Sequence, residues 1–196
     1  MNELKRVCVF CGSSPGNDDR FAEAAGSVGR ELGRNGIGLV YGGGNVGLMG
    51  AVADGALSVG GEVIGVIPEA LEEKELAHRG VTDLRVVRSM HERKAMMADL
   101  ADGFMALPGG FGTMEELCEI LTWGQLGIHR KPAAILNVAG YYDPLIAMFD
   151  RAVDFRLLSR ANRALVLVGT EMADLLERMR LFDPGDSEKW LHRAMA

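Results

Sequence analysis

The sequence contains no run of about 18 consecutive apolar residues, the length a membrane-spanning helix requires. Its opening, Met1-Asn2-Glu3-Leu4-Lys5-Arg6, passes into a strand pattern without the apolar core of a signal peptide. These absences predict a cytosolic protein with no membrane partner. Cysteine is scarce, with Cys8, Cys11 and Cys118 the full set, and an odd number in a chain without a secretion signal argues against a disulfide framework. Cys8 and Cys11 do form a C-x-x-C, but Val9 and Phe10 continue a strand, so the pair is not presented at a helix start as a redox motif requires. Positive charge is also short: 21 Lys and Arg stand against 27 Asp and Glu, a net charge of -6. No global field favours nucleic acid, and any anion site has to be built locally. No Gly-Lys-Ser/Thr follows a glycine loop, which excludes a Walker A nucleotide site. No His, Cys or carboxylate cluster has ligand spacing, so neither a metal nor a cofactor is expected.

What is present describes an ordinary globule, 48% hydrophobic and 24% charged over 196 residues. One domain over 1–182 is expected, followed by a tail over 183–196 in which Pro184-Gly185 breaks the chain and Ser187 to Ala196 can form a short helix. Short β-rich runs occur at Val7 to Cys11, Ile37 to Tyr41, Val63 to Ile67, Leu84 to Val87, Phe104 to Leu107, Ala133 to Leu136 and Leu165 to Val168. Amphipathic stretches lie between them, among them Asp19 to Arg34, Val46 to Val59, Met90 to Ala101, Met114 to Leu126 and Tyr142 to Phe155. The alternation predicts an α/β, Rossmann-like three-layer fold: a mostly parallel sheet of about seven strands with helices on both faces.

Strands in this pattern run into glycine or small-residue loops at 11–16, 41–47 and 107–113. Open α/β sheets bind ligands at that carboxyl edge, so three such loops on it point to a phosphate-bearing ligand. Gly42, Gly44 and Gly47 satisfy G-x-G-x-x-G, yet the motif follows the second strand, and the nearest candidate acid, Glu69, lies beyond Pro68, which weakens a dinucleotide reading. Glycines that ease close helix–sheet packing are the plainer alternative. Pro108-Gly109-Gly110-Phe111-Gly112-Thr113-Met114-Glu115-Glu116 carries more information. Its main-chain amides can close on an anion, and the helix beginning near Thr113 aims its positive end at the same place. Thr113 and Glu116 also fit a T-x-x-E capping box, the alternative account of Glu116.

Ser89-Met90-His91-Glu92-Arg93-Lys94 sets two cations in the first turns of a helix, where they oppose its dipole. Ser89 and Glu92 supply a capping box that places this helix start on the same sheet edge. Arg93 and Lys94 can there balance a phosphate and a carboxylate, or form a solvated face. His91 fits a packing or hydrogen-bonding role, and Glu75 and His78 fall in a charged loop expected to be solvated.

Taken together, Tyr41-Gly42-Gly43-Gly44 with Gly47-Leu48-Met49-Gly50, the segment 89–94, the segment 108–116 and Thr122-Trp123-Gly124-Gln125-Leu126-Gly127-Ile128-His129 resemble the "Lonely guy" family of cytokinin-activating phosphoribohydrolases, often labelled lysine decarboxylases. The resemblance spans roughly residues 5 to 180. It implies a Rossmann-like homodimer that hydrolyses the base–ribose bond of N6-modified adenosine monophosphates, and often AMP, without a cofactor. By motif position it implies Arg93 and Glu116 as the catalytic pair, Gly109, Gly110, Phe111, Gly112 and Thr113 around the 5′-phosphate, and Lys94, Thr122 and Glu75 as substrate contacts. Ser14, Gly43, Gly44, Asn45, Met90, Met114 and Glu115 complete the expected binding set. A non-catalytic nucleotide sensor or carrier with the same cradle is the alternative; it would explain the glycines but not Arg93 with Glu116. Lysine decarboxylation competes weakly, since no signature of a pyridoxal cofactor surrounds Lys94.

Overall fold

The computed structural model describes residues 3–72 and 77–185. The element order is β1 (Arg6–Phe10), α1 (Asp19–Arg34), β2 (Gly38–Tyr41), α2 (Gly47–Leu57), β3 (Val63–Pro68), α3 (Glu69–Glu72), β4 (Asp83–Val87), α4 (Met90–Leu100), β5 (Gly103–Ala106), α5 (Phe111–Gln125), β6 (Ala133–Leu136), α6 (Asp143–Asp154), α7 (Arg160–Arg163), β7 (Val166–Gly169) and α8 (Met172–Leu181). All the expected strands form within a residue or two of their sequence bounds. The expected tail helix lies outside the described residues.

The seven strands form one sheet in the order β4-β3-β2-β1-β5-β6-β7, and every pairing is parallel. Parallel sheets hide both faces, and here alternation along each strand feeds two layers. Val7 and Val9 of β1 pack with Val28 and Leu32 of α1, Val52 of α2 and Leu175 of α8. Cys8 and Phe10 face the other way, toward Met97 of α4 and Ile120 of α5. That layer continues over Ala106 and Ile135 as Leu117 of α5 and Tyr142 at the start of α6. Cys8 and Cys11, three residues apart, therefore belong to opposite layers and cannot act as a dithiol pair. Among the described residues no helix is long and apolar enough to cross a membrane.

Strand order reverses between β1 and β5, because β1 to β4 build outward on one side and β5 to β7 on the other. At such a switch point the connections leave in opposite directions and open a crevice beyond the strand ends. Asp19–Arg34 shows how sequence locks the flanking layer: Asp18 caps the helix by accepting from the Arg20 amide, and Gly26 and Gly29 let α2 approach. A Cβ on Gly29 would stand 2.0 Å from the Val52 carbonyl oxygen. Overpacking of that size cannot be absorbed by a rotamer change.

Candidate active site

The switch-point crevice has a volume of about 310 Å³ and is walled by the loop after β1 (Ser13, Ser14), the loop after β5 (Gly109, Gly110) and the rings of Phe21 and Tyr141. The two loops are sewn together, with the Gly12 amide donating to the Pro108 carbonyl at 3.0 Å. The Ser14 hydroxyl accepts from the Gly16 amide at 3.3 Å and so shapes its own loop.

Helix α5 starts earlier than the sequence reading placed it. Its N-cap is Gly110, which offers no side-chain cap, and Phe111, Gly112 and Thr113 form the first turn. The first amides of a helix have no intrahelical acceptor, so this start presents donors and the positive dipole end at the sheet edge. Thr113 is buried against Gly109. Because the cap is Gly110, Thr113 and Glu116 do not form the T-x-x-E capping box; Glu116 sits in the second turn, only 9% exposed, as one of the few buried charged groups. Phe111, by contrast, is 92% exposed.

Helix α4 begins as expected. Ser89 caps it by accepting from the Glu92 amide at 3.1 Å, while the Glu92 carboxylate accepts from the Arg88 amide at 2.9 Å. That start turns Arg93 inward, where it is 6% exposed. Its Nε donates to the Val66 carbonyl at 3.1 Å and its Nη2 to the Gly42 carbonyl at 3.2 Å, so one guanidinium ties the carboxyl ends of β2 and β3. Met90 places its sulfur 3.7 Å from Nη1. Gly42 is required for this: a Cβ there would stand 2.0 Å from Arg93 Nη2.

The two buried charges share one neighbourhood. Burial pushes the Cys11 thiol up, the Glu116 charge adds to that and the Arg93 charge opposes it; Cys8 feels the same pair. Arg93, bonded at the ends of β2 and β3, and Glu116, in the second turn of the helix that follows β5, both stand at the carboxyl edge of the sheet. Their neighbour Lys94 points elsewhere. Its Nζ forms ion pairs with Glu115 and, at 3.0 Å, with Glu119, clipping α4 to α5. Burial lowers the Lys94 pKa, but the two carboxylate bonds outweigh it and the net shift is upward.

The glycine motif after β2 serves packing. Gly47 has φ of +59° and no room for a Cβ against the Ser13 carbonyl. The first amides of α2, those of Leu48 and Met49, both donate to the Gly12 carbonyl, at 3.0 and 3.3 Å. A dinucleotide pyrophosphate would need those amides, so the plainer reading of this motif holds. Gly43 and Gly44 are covered by the segment from Ala77: the His78 amide donates to the Gly43 carbonyl at 2.9 Å, and Gly44 bridges Ala77. Asn45 is exposed.

His78 corrects the expectation of a solvated loop. It is 8% exposed; its Nδ1 accepts from the Gly80 amide at 3.2 Å, which leaves the proton on Nε2 to be donated to Asp54 at 3.0 Å. A charged loop hid this because its polar partners come from α2 and from the turn's own backbone. Glu75 lies outside the described residues. His91 is exposed. Thr122 stands three turns along α5 from the glycine loop, its hydroxyl donating to the Cys118 carbonyl at 2.7 Å. It lines a separate cavity of about 280 Å³ with Leu121, Phe149, Leu157 and Arg163, so one chain does not bring it to the crevice.

Sequence reasoning missed Tyr141 and Tyr142. Tyr141 donates its hydroxyl to the Gly109 carbonyl, and Tyr142 donates to the Leu107 carbonyl at 2.6 Å. Tyr142 stands only as the start of an amphipathic stretch in the sequence and Tyr141 in no motif, and nothing there announces that both hydroxyls reach the loop after β5.

A family model described as "Possible lysine decarboxylase" matches 49–179. A probable cytokinin riboside 5′-monophosphate phosphoribohydrolase of Oryza sativa subsp. japonica is 49% identical over 93% of this chain and 82% of its own length. A cytokinin riboside 5′-monophosphate phosphoribohydrolase of Arabidopsis thaliana is 46% identical over 93% of this chain and 84% of its own. The Moco carrier protein of Chlamydomonas reinhardtii has a similar structure, with a TM-score of 0.68 over 91% of this chain and 97% of its own; at 20% identity that likeness concerns the fold alone.

Proposed function

We infer the function from one premise: this chain belongs to the family of cytokinin riboside 5′-monophosphate phosphoribohydrolases, whose family model carries the description possible lysine decarboxylase. The chain hydrolyses the N-glycosidic bond of N6-modified adenosine monophosphates, AMP or both, giving free base and ribose 5-phosphate. One observation supports this reading: a buried arginine bonded to the carbonyls at the ends of β2 and β3, and a buried glutamate in the second turn of the helix that follows β5, both stand at the carboxyl edge of the sheet, where that helix starts from a glycine with no side-chain cap.

The chemistry follows from that arrangement. As the C1′–N9 bond breaks, its electron pair leaves with the base and positive charge grows on the ribose. Glu116, as the carboxylate facing C1′, stabilises that charge and orients the water whose oxygen bonds to C1′; it accepts one water proton as that bond forms, the other stays on the new C1′ hydroxyl, and the accepted proton passes on to the departing base. Arg93 fixes the carboxylate and the substrate; its own geometry is set by the Val66 and Gly42 carbonyls. The amides of Gly110 to Thr113 hold the 5′-phosphate, and binding energy from that remote group aligns the sugar. Room for a side chain exists at Gly110 and Gly112, where a Cβ would meet nothing within 4 Å. Glycine there is not demanded by packing, which suits a loop that a ligand approaches closely.

Decarboxylation fits the site poorly. A pyridoxal cofactor would need a lysine able to form a Schiff base, and Lys94 is held cationic by Glu115 and Glu119. A carrier role explains the glycine loop but gives no reason for a buried carboxylate, Glu116, beside it. The residues from 1 to 182 form one hydrolase unit in this reading, and the chain pairs with a second copy into a homodimer. The test is product chromatography with AMP, N6-isopentenyl-AMP, GMP and CMP in parallel. Adenine-type base must appear from the first two; bound nucleotide with no base released would defeat the reading.

A further inference from the structure

Three consecutive carbonyls at the end of β5 are each held by a donor from elsewhere in the chain. Leu107 accepts from the Tyr142 hydroxyl at 2.6 Å, Pro108 from the Gly12 amide at 3.0 Å, and Gly109 from the Tyr141 hydroxyl. A trans peptide is planar, so fixing a carbonyl fixes the N–H of the next residue in the opposite direction. Holding the Pro108 carbonyl therefore orients the Gly109 amide, and holding the Gly109 carbonyl orients the Gly110 amide. The Leu107 carbonyl orients nothing, because proline has no N–H. Glycines would otherwise rotate freely at this point, and an anion would have to order them on binding.

We propose that Tyr141 is a positioning residue for the phosphate cradle: through its hydroxyl on the Gly109 carbonyl it holds the Gly109–Gly110 peptide with its N–H turned outward to bind an anion. The tyrosine is itself fixed. Its ring packs edge-on against Phe21 and against Tyr142, with centroids 5.6 and 5.0 Å apart, and it walls the crevice that Gly109 and Gly110 border. Tyr142, reached by the same turn, serves as the internal contrast because the peptide it holds carries no donor. This proposal rests on the reading that the glycine loop takes the 5′-phosphate.

The test measures competition by inorganic phosphate against AMP hydrolysis in wild type, Tyr141→Phe and Tyr142→Phe. Tyr141→Phe keeps the ring packing and removes one oriented hydrogen bond, so the phosphate inhibition constant and the KM for AMP should rise together about three- to tenfold, with the loss in KM rather than kcat. Tyr142→Phe should lower the unfolding midpoint while shifting the phosphate constant less than about twofold. An unchanged phosphate constant in Tyr141→Phe, a loss that falls on kcat, or an equal weakening by Tyr142→Phe would overturn the proposal. If the wild-type enzyme releases base from AMP but phosphate does not compete, the phosphate-loop reading itself falls and takes this proposal with it. Competition in wild type that persists unaltered in Tyr141→Phe removes Tyr141 alone.

Discussion

At the residue scale, burial distinguishes the side chains that the sequence could only group. Arg93 and Lys94 are adjacent cations, yet one is turned in to two backbone carbonyls and the other out to two carboxylates. Their spacing on a helix explains why: neighbours lie about 100° apart, so only one can face the sheet. The dependence of Arg93 on a missing Cβ gives a sharp prediction. Gly42→Ala would put a methyl group 2.0 Å from Nη2, so the guanidinium must leave the Gly42 carbonyl. Base release should fall at least about a hundredfold, as expected for losing a positioned charge, with a stability cost of about 1–3 kcal/mol. Steady-state kinetics beside thermal unfolding checks this; a Gly42→Ala enzyme with near-normal turnover would show that Arg93 need not sit where it does. Arg93 and Glu116 were legible as candidates from motif position. Tyr141 and His78 were not: Tyr141 donates to the backbone carbonyl of Gly109, 32 residues away, and His78 pairs with the side chain of Asp54, 24 residues away, and a contact across that distance leaves no pattern along the chain.

At the element scale, the decisive difference was where a helix begins. Reading Thr113 as the cap shifted the start of α5 inward and left Glu116 with a bland alternative; with Gly110 as the cap, that alternative disappears and the glycine loop becomes the helix start. Threonine and glycine are about equally good N-caps, so propensity does not decide between Gly110 and Thr113; the close packing of Thr113 on Gly109 holds the threonine inside the first turn. The far end of α5 is tied by His129, whose Nε2 donates to the Ile120 carbonyl at 2.9 Å while its Nδ1 accepts from the Lys131 amide at 3.1 Å. Burial lowers its pKa to about 4 from the ordinary 6.5. Between those values the unfolded chain binds a proton that the folded one refuses, so stability rises with pH there: it is complete above about pH 6.5 and is lost as the pH falls toward 4. The loss should approach about 1.4 kcal/mol per pH unit, read as a drop in urea midpoint between pH 7 and pH 5. His129→Gln should flatten that dependence, whatever its effect on stability at pH 7; an unchanged slope would assign the pH dependence to other groups.

At the scale of the whole molecule, the alternation of strands and helices fixed the class of fold and the edge on which ligands bind, since period and turn chemistry are local. Strand order is not local. Nothing along the chain says that β5 pairs with β1 rather than with β4, so the switch point beside Gly12 and Gly109 emerges only in three dimensions. The same holds for Thr122, whose motif is near the others in sequence terms but whose side chain opens on another cavity. Leu157 on the wall of that cavity is 85% exposed, and Phe155, two residues before it in the chain, is 63% exposed. Large apolar side chains left in water beside an apolar cavity mark a surface suited to a second copy of the chain. Light scattering should give a mass twice the 21.1 kDa of the chain, and Leu157→Glu should return it to the monomer. A monomeric wild type, or a dimer indifferent to Leu157→Glu, would reject this face.

The proposed hydrolysis depends on Glu116 and Arg93 acting together on a nucleotide's anomeric carbon at the carboxyl edge of the sheet. Turnover of AMP and N6-isopentenyl-AMP by Arg93→Ala and Glu116→Gln, followed as free base and ribose 5-phosphate and set beside circular dichroism of the same samples, tests it most directly. Both variants should fold and release base at least about a hundredfold more slowly than wild type. A folded variant of either residue that turns over near the wild-type rate would contradict the account.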